Sequence, residues 1–393
     1  MQKSSSYKVL FLASWYPNRI FPKNGNFVQR HAQAVARVCD VVSLHVISDA
    51  EMQDFEVNVQ ELNGVCEVTV YFPKSANWRP FKKYKMYLEA HRRGYAWIEK
   101  NWGKIDITHL NIIYPAGLFA LELKKKYGIP YVLSENWTSL LPINPYKFSL
   151  LEKHFIQKIG NGVSVFCPVS ADLKNALMGM GFKGPYRIVP NVVNTAVFTL
   201  GTKKSEGELS AQPIKILHAS TFKDDHKNIS GLLRVIARLQ NERSDFAVTM
   251  VGNKFGDQYE DAIRDLGISK EMLQILPEQP IEEVARLMQS HHIFVLFSNY
   301  ENLPCVIAEA HCAGMLVVGT DVGGTREMID ATNGFVVQAR DEQKLFESLQ
   351  EVMDKLSTYQ PRQIREKAVA RYSYDSVAHK FLAVYKTILA KQA

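Results

Sequence analysis

The sequence predicts two doubly wound α/β domains in one chain. Three observations lead there. The chain has 393 residues, more than one hydrophobic core ordinarily organises, and 46% of them are hydrophobic, enough for two cores. Short apolar runs alternate with segments of helical period along the whole length. Near the middle, TLGTKKSEGELSAQP at 199–213 is polar and aperiodic and reads as a linker or exposed loop. The expected organisation is a first Rossmann-like α/β domain over 1–198, the linker or loop 199–213, a second Rossmann-like α/β domain over 214–374 and a C-terminal amphipathic helix over 375–393.

In the first half the strand candidates are YKVLFLAS (7–14), DVVSLHVI (40–47), IDITHL (105–110), PYVLSE (130–135) and VSVFCPVS (163–170), with GNFVQRHAQAVARV (25–38) an early helix. The second half repeats the pattern with IKILHAS, FAVTMVG, LQILP, IFVLFS, MLVVGT and GFVVQ. Continuous apolar strands separated by helices imply parallel sheets covered on both faces, with ligands at the strands' carboxyl ends. At the end of the chain, Val377, Phe381, Val384, Tyr385 and Ile388 recur at spacings of three and four. That stripe suits a helix able to pack back on the first domain.

Composition narrows the function classes. VLFLA at 9–13 is too short for a signal peptide, and no apolar run approaches the ~18 residues of a membrane span, so the expected location is cytoplasmic. Cys39, Cys66, Cys167, Cys305 and Cys312 are odd in number and scattered, which argues against a disulfide framework or zinc ribbon. His291, His292, His311 and Cys312 lack a metal-ligand spacing. The net charge of +7 divides unevenly: residues 1–192 hold 24 Lys+Arg against 14 Asp+Glu, and the remainder 23 against 26. The first domain is expected to meet an acidic partner or an anionic surface, and no nucleic acid is expected. Within it, KKYKMYLEAHRR (82–93) interleaves Lys82, Lys83, Lys85, Arg92 and Arg93 with Tyr84, Met86, Tyr87 and Leu88, a composition suited to an anionic membrane face.

The chemistry-bearing residues lie at the exits of three second-half strands. SNYENLPCVIAEAHCAG (298–314) puts Glu301 in the loop after IFVLFS, Pro304 at the start of the next helix, and Glu309 inside that helix among apolar neighbours. An inward carboxylate there needs hydroxyls or a cation as partners. HASTFKDDHKNIS (218–230) places Lys223 and Lys227 after IKIL, where an ammonium can neutralise a phosphate. MLVVGTDVGGTREMI (315–329) ends in a turn at Gly323 and Gly324, whose backbone N–H groups suit an anionic ligand.

These residues carry a resemblance. SNYENLPCVIAEA looks like the E-x7-E signature of retaining glycosyltransferases of family four, which have the GT-B fold of two Rossmann-like domains facing a central cleft. YPNRIFPKNGNFVQRHA (16–32), YVLSENWTS (131–139), VSADLKNAL (169–177) and RIVPNVVNTAVF (187–198) resemble further segments of that family, so the likeness spans nearly the whole chain. It implies transfer of a hexose-type sugar, with retention, from a nucleotide-diphosphate donor, UDP- or GDP-sugar, to a glycan or lipid-linked acceptor in surface polysaccharide or glycoconjugate assembly. It implies no cofactor and no metal.

By matched position, the resemblance assigns Glu301 to the donor sugar, Glu309 to the ribose, and Lys227, with Lys223, to the diphosphate. Asn302, Leu303, Pro304, Gly323, Gly324, Gly25 and Asn26 would line the donor, His109 would stand beside the reacting sugar, and Glu135 and Asn136 would face the acceptor. The chain departs from the pattern at Phe222, where the family carries Arg, at Asn136, where His is frequent, and at NVVN in place of N-G-V-D. A nucleotide-sugar epimerase or glycan phosphorylase of the same architecture stays open as an alternative, as does a non-catalytic sugar-binding protein.

Overall fold

The computed structural model of the chain describes residues 7–142, 148–201, 213–253 and 256–391. It divides into two units, Met1–Val192 with Tyr374–Ala393, and Val193–Ser373.

The first unit runs β1 (Lys8–Ala13), α1 (Asn26–Val35), β2 (Asp40–Asp49), β3 (Glu56–Leu62), β4 (Val65–Pro73), α2 (Pro80–Trp102), β5 (Ile107–Asn111), α3 (Gly117–Tyr127), β6 (Tyr131–Glu135), α4 (Leu150–Gly160), β7 (Val165–Pro168) and α5 (Ala171–Gly179). Its sheet has the order β3-β4-β2-β1-β5-β6-β7. All neighbours are parallel except β3 and β4. The five strands read from the sequence are β1, β2, β5, β6 and β7, and the hairpin β3–β4 is an addition. Asn63 and Gly64 turn it with φ of 50° and 81°, the left-handed pair of a two-residue hairpin. β4 is buried along nearly its whole length, whereas β3 is exposed and supplies the polar edge of the sheet.

The second unit runs β8 (Ile214–Thr221), α6 (Asp224–Lys227), α7 (Ile229–Glu242), β9 (Phe246–Asn253), α8 (Asp257–Asp265), β10 (Leu273–Pro277), α9 (Ile281–Ser290), β11 (Ile293–Leu296), α10 (Cys305–Cys312), β12 (Leu316–Thr320), β13 (Gly334–Val337), α11 (Glu342–Asp354) and α12 (Pro361–Tyr372). Its six parallel strands, all expected from the sequence, have the order β10-β9-β8-β11-β12-β13. This is the doubly wound arrangement, and its direction reverses between β8 and β11. Ile216, Val248, Val295 and Val318 fill the middle of its core, with Leu232 and Ile236 packed in from α7.

The last helix, α13 (Tyr374–Leu389), belongs to the first unit and packs against α1. Val377, Phe381, Val384, Tyr385 and Ile388 all enter the core formed with Val28, Ala32 and Val35. The units part at Val192 and not at 198. Val193 N–H donates to the Tyr372 carbonyl at 2.9 Å, and the Arg365 guanidinium donates to the carbonyls of Thr195 at 3.0 Å and Phe198 at 2.5 Å. The start of the expected linker is also packed: Thr199 Oγ1 accepts a 2.7 Å bond from Gln289, and a Cβ on Gly201 would collide with the Gln289 carbonyl. Residues 202–212 of that linker lie outside the described residues.

Candidate active site

In the second unit the candidate residues gather at the switch point, after β8, β11 and β12. β8 leads through Phe222 into the short helix α6, and Asn228, at φ 49°, joins α6 to α7. Asp224 Oδ1 accepts the Ser230 N–H at 2.7 Å and so caps the start of α7. The Lys227 ammonium, held on α6, pairs with Glu301 Oε1 in the β11 exit loop, and both side chains are largely buried. Ser298 Oγ donates to the same oxygen at 2.7 Å, and Ser298 O accepts the Thr320 hydroxyl from the end of β12 at 2.7 Å. The carboxylate thereby ties the exits of β8 and β11, and the Ser298 carbonyl extends the link to the end of β12. An ammonium and a carboxylate this close in a shielded place interact far more strongly than on the surface.

Further contacts set the two loops against each other. The His226 and Tyr300 rings stack with centroids 4.0 Å apart, and Asn299 N–H donates to the His226 carbonyl at 2.8 Å. Burial, then the charge of Lys227, holds His226 below the usual imidazole range, so the ring stacks neutral. Asn299 also accepts from Arg340 at 3.1 Å. Ser298, Asn299, His226 and Tyr300 were not picked out from the sequence. The available signal was adjacency alone, since His226 precedes Lys227 and Tyr300 precedes Glu301.

The glycine turn braces this loop. A 3-10 turn covers Gly323–Glu327, and Gly323, at φ 53°, lies so close to the Glu301 carbonyl that a Cβ would collide with it. Gly324 N–H, expected to face an anion, instead donates to the Asn302 carbonyl at 2.6 Å. The adjoining Thr325 hydroxyl is buried and has no partner among the described residues. Asn302 and Leu303 are buried, and Pro304 caps α10, one residue before its first helical position. Glu309 is 9% exposed inside α10. Phe222 explains the missing arginine: it is 2% exposed, contacts His218 and Tyr259, and belongs to the core, while Lys223 is exposed beside it.

In the first unit, Gly25 begins α1 at φ 67° against the Trp15 carbonyl, a place without room for a Cβ, and Asn26 is the exposed first residue of the helix. Two expectations are corrected. His109 is fully buried in the middle of β5, not at a strand end. Its ring bonds Tyr385 Oη on α13 and Ser134 Oγ at 2.7 Å and packs against Phe11 and Phe381. Burial, and then the neighbouring His31, keep its pKa well below the usual range, so it is a neutral core residue under the terminal helix.

Glu135 is the second correction, because it is fully buried and does not face a partner. Its carboxylate accepts backbone N–H bonds from Ile113 at 2.8 Å, Asn136 at 2.9 Å and Trp137 at 2.7 Å. Burial raises its pKa to about 7 against the opposing pull of those donors. It locks the exits of β5 and β6 and sets Trp137 edge-on to Trp15, beside Gly25, with Asn136 half-buried at the bend. Of the basic residues of α2, Lys82, Lys83 and Lys85 are exposed next to Phe81, itself 78% exposed. Arg92 is instead held by Glu122 through bonds of 2.8 and 2.9 Å, and Arg93 pairs with Glu89 and covers the Phe55 ring.

Comparison with known proteins agrees with this architecture. Residues 25–197 match the family model Glycosyltransferase Family 4, and residues 202–370 match Glycosyl transferases group 1. The chain is 25% identical over 248 residues to the Bacillus subtilis (strain 168) protein EpsF, a match covering 61% of this chain and 63%, less than two thirds, of that relative. It is 24% identical over 316 residues to the MMP alpha-(1->4)-mannosyltransferase of Mycolicibacterium hassiacum, covering 74% of this chain and 72% of that one. Among solved structures, Anabaena HepE in complex with UDP and glucose aligns with a TM-score of 0.69 and 15% identity over 98% of this chain and 100% of the other, which shows a shared fold. Matched in its first unit by Glycosyltransferase Family 4 and in its second by Glycosyl transferases group 1, the chain belongs to the glycosyltransferases of the GT-B fold.

Proposed function

We propose that the protein transfers a hexose from a nucleoside-diphosphate sugar, UDP- or GDP-linked, to a glycan or lipid-linked acceptor, retaining the anomeric configuration and using no metal ion. The observation that supports this most is the Lys227–Glu301 pair at the β8/β11 switch point. Without a donor, each charge neutralises the other. A diphosphate entering there would take Lys227 and leave Glu301 free to accept from sugar hydroxyls, with Ser298 still holding one of its oxygens.

Positive charge at Lys227 then meets the negative charge that grows on the leaving diphosphate, and a charge fixed in advance costs no reorganisation. The buried Thr325 hydroxyl, unpartnered among the described residues, adjoins the same loop and would gain a bond from a polar ligand. Glu309 would hold the ribose. The mannosyltransferase relative and UDP- and glucose-bound HepE accord with a sugar-nucleotide donor. Exposed Phe81, Lys82, Lys83 and Lys85 on α2 would bring the first unit to an anionic membrane carrying the acceptor.

Thermal-shift measurement of the full chain against UDP, GDP and ADP tests the donor. One of them should stabilise the chain by about 2.7 kcal/mol at 100 times its Kd. Release of that diphosphate from its hexose conjugate should require an acceptor. Release without acceptor, or no response to any nucleoside diphosphate, overturns the reading.

A further inference from the structure

We propose that the first turn of α4 enters the lipid bilayer, where Leu150 and Leu151 form with Phe81 of α2 an apolar anchor beside lysines that meet anionic headgroups. This deepens the membrane reading above, which invoked α2 alone. It rests on that reading and not on sugar transfer.

The three most exposed large apolar side chains among the described residues are Leu150 at 85%, Phe81 at 78% and Leu151 at 62%. All three stand on two neighbouring helix starts. The Tyr84 and Phe155 rings stack with centroids 5.8 Å apart and planes 9° apart, which ties α2 to α4. Phe81 precedes Tyr84 by three residues and Leu151 precedes Phe155 by four, so each sits one turn back from the stacked pair on the same side of its helix. Leu150 is the first helical residue of α4. A capping box fixes that turn: Ser149 N–H donates to Glu152 Oε2 at 2.8 Å, and Glu152 N–H donates to Ser149 Oγ at 3.3 Å. Ile156 and Ile159 seat α4 in the fold, so the two leucines are surplus to its packing. Apolar side chains held out together on ordered turns mark a contact surface.

Charge decides the partner. Arg79, Lys82, Lys83, Lys85 and Lys153 are exposed on the same two helix starts, and none pairs with an acid among the described residues. Lys82 lies over the Trp78 ring, 4.7 Å from its centroid, and keeps its charge there. Lysine is depleted at protein interfaces, which speaks against a protein partner. At a bilayer the ammonium groups stay in water and reach lipid phosphates, while the apolar side chains between them sink below the headgroups. α2 follows β4 and α4 follows β6, so both first turns lie at the carboxyl-end side of the parallel strands. Docking here turns that end of the first unit toward the lipid.

Flotation of the full chain with vesicles of phosphatidylglycerol and phosphatidylcholine in equal parts, over a range of salt, tests this. Leu150→Ser with Leu151→Ser should weaken binding by at least about tenfold at every salt concentration, because apolar transfer is not screened. The thermal midpoint and the steepness of the salt dependence should stay those of the wild type. Lys83→Ala with Lys85→Ala should instead flatten the salt dependence. Leu150→Trp with Leu151→Trp should bind at least as tightly as wild type, and brominated acyl chains should quench its emission more than that of the wild type. Wild-type affinity in the serine variant, or no added quenching in the tryptophan variant, overturns insertion by α4; docking through α2 then stands if the lysine variant still binds more weakly. An absence of vesicle binding by the wild type at low salt overturns both. A dimer that the serine change dissolves, with vesicle binding unchanged, would assign the leucines to a second copy of the chain and overturn the proposal as well.

Discussion

The Lys227–Glu301 pair makes the two residues mutually dependent, so removing one acts on the other. Glu301→Ala leaves a largely buried ammonium without its carboxylate, a change that costs roughly 3–5 kcal/mol in comparable pairs. Transfer should be abolished while nucleoside diphosphate binds at least as tightly as to wild type, because the diphosphate no longer has to displace a carboxylate from Lys227. Calorimetry beside a turnover assay checks this, and activity within tenfold of wild type would reject the role. Glu309→Gln should instead weaken nucleotide binding by roughly 1–3 kcal/mol through lost charge-assisted bonds to the ribose, with an unchanged Kd speaking for a structural carboxylate. His109→Ala should lower stability, since it removes two buried hydrogen bonds and leaves a cavity, yet the folded variant should keep kcat within tenfold. A hundredfold loss of kcat at unchanged stability would return His109 to the chemistry. The carboxylates and lysines were legible because polar residues stood at the ends of apolar strands. Their pairing was not, since it joins loops 74 residues apart. His109 misled for the same reason: its partner Tyr385 lies 276 residues away, and no local pattern shows that α13 covers β5.

At the level of elements, α2 divides into a solvent-facing end, where Lys82 lies over the Trp78 ring, and an end committed to acids. Its first turns present Phe81, Lys82, Lys83 and Lys85 to solvent, while Arg92 and Arg93 further along are occupied by Glu122, Glu89 and the Phe55 ring. Vesicle sedimentation should therefore need anionic lipid and fade as salt rises. The triple change Lys82→Glu, Lys83→Glu and Lys85→Glu should remove it, since each cation near an anionic surface contributes about 1 kcal/mol. Arg92→Ala should leave it intact. Equal binding to neutral and anionic vesicles, or dependence on Arg92, would refute this division of labour. The basic segment was visible in the sequence, but pairing with Glu122 on α3 depends on how two helices pack. Parallel strands were the most legible elements, because burial on both faces leaves a continuous apolar run. The hairpin β3–β4 escaped although Asn63-Gly64 is a strong turn signal. β3 alternates polar and apolar residues on an exposed edge, so it lacks the run that marked the other strands.

The molecule as a whole concentrates buried imidazoles, and they decide how its stability responds to acid. His31, His45, His91 and His109 in the first unit and His218 and His311 in the second are all buried. Burial depresses each, to about 4 for His31, His45, His218 and His311, to about 3 for His91, and well below the usual value for His109. In the unfolded chain each would titrate near 6.5. Below that pH the unfolded chain takes up protons that the native fold refuses, so stability falls as pH drops from about 6.5 toward 4, by about 1.4 kcal/mol per pH unit for each proton. Glu135 opposes the trend: its raised value of about 7 makes the native state bind the extra proton, so its contribution is present at low pH and is lost as pH rises through 7. The lowered carboxyls of Asp49, Asp245 and Asp321 act only further down, below the ordinary carboxylate pKa. With His226, which is lowered as well, seven imidazoles against one carboxyl leave a net loss on acidification, and four of the seven lie in the first unit. Urea midpoints should therefore drop between pH 7 and pH 5. Hydrogen exchange should show β1, β2 and β5, the strands around His45 and His109, opening before the second unit's β8 and β11. A midpoint that stays level across that interval, or a second unit that opens first, would show that these imidazoles do not govern the acid response.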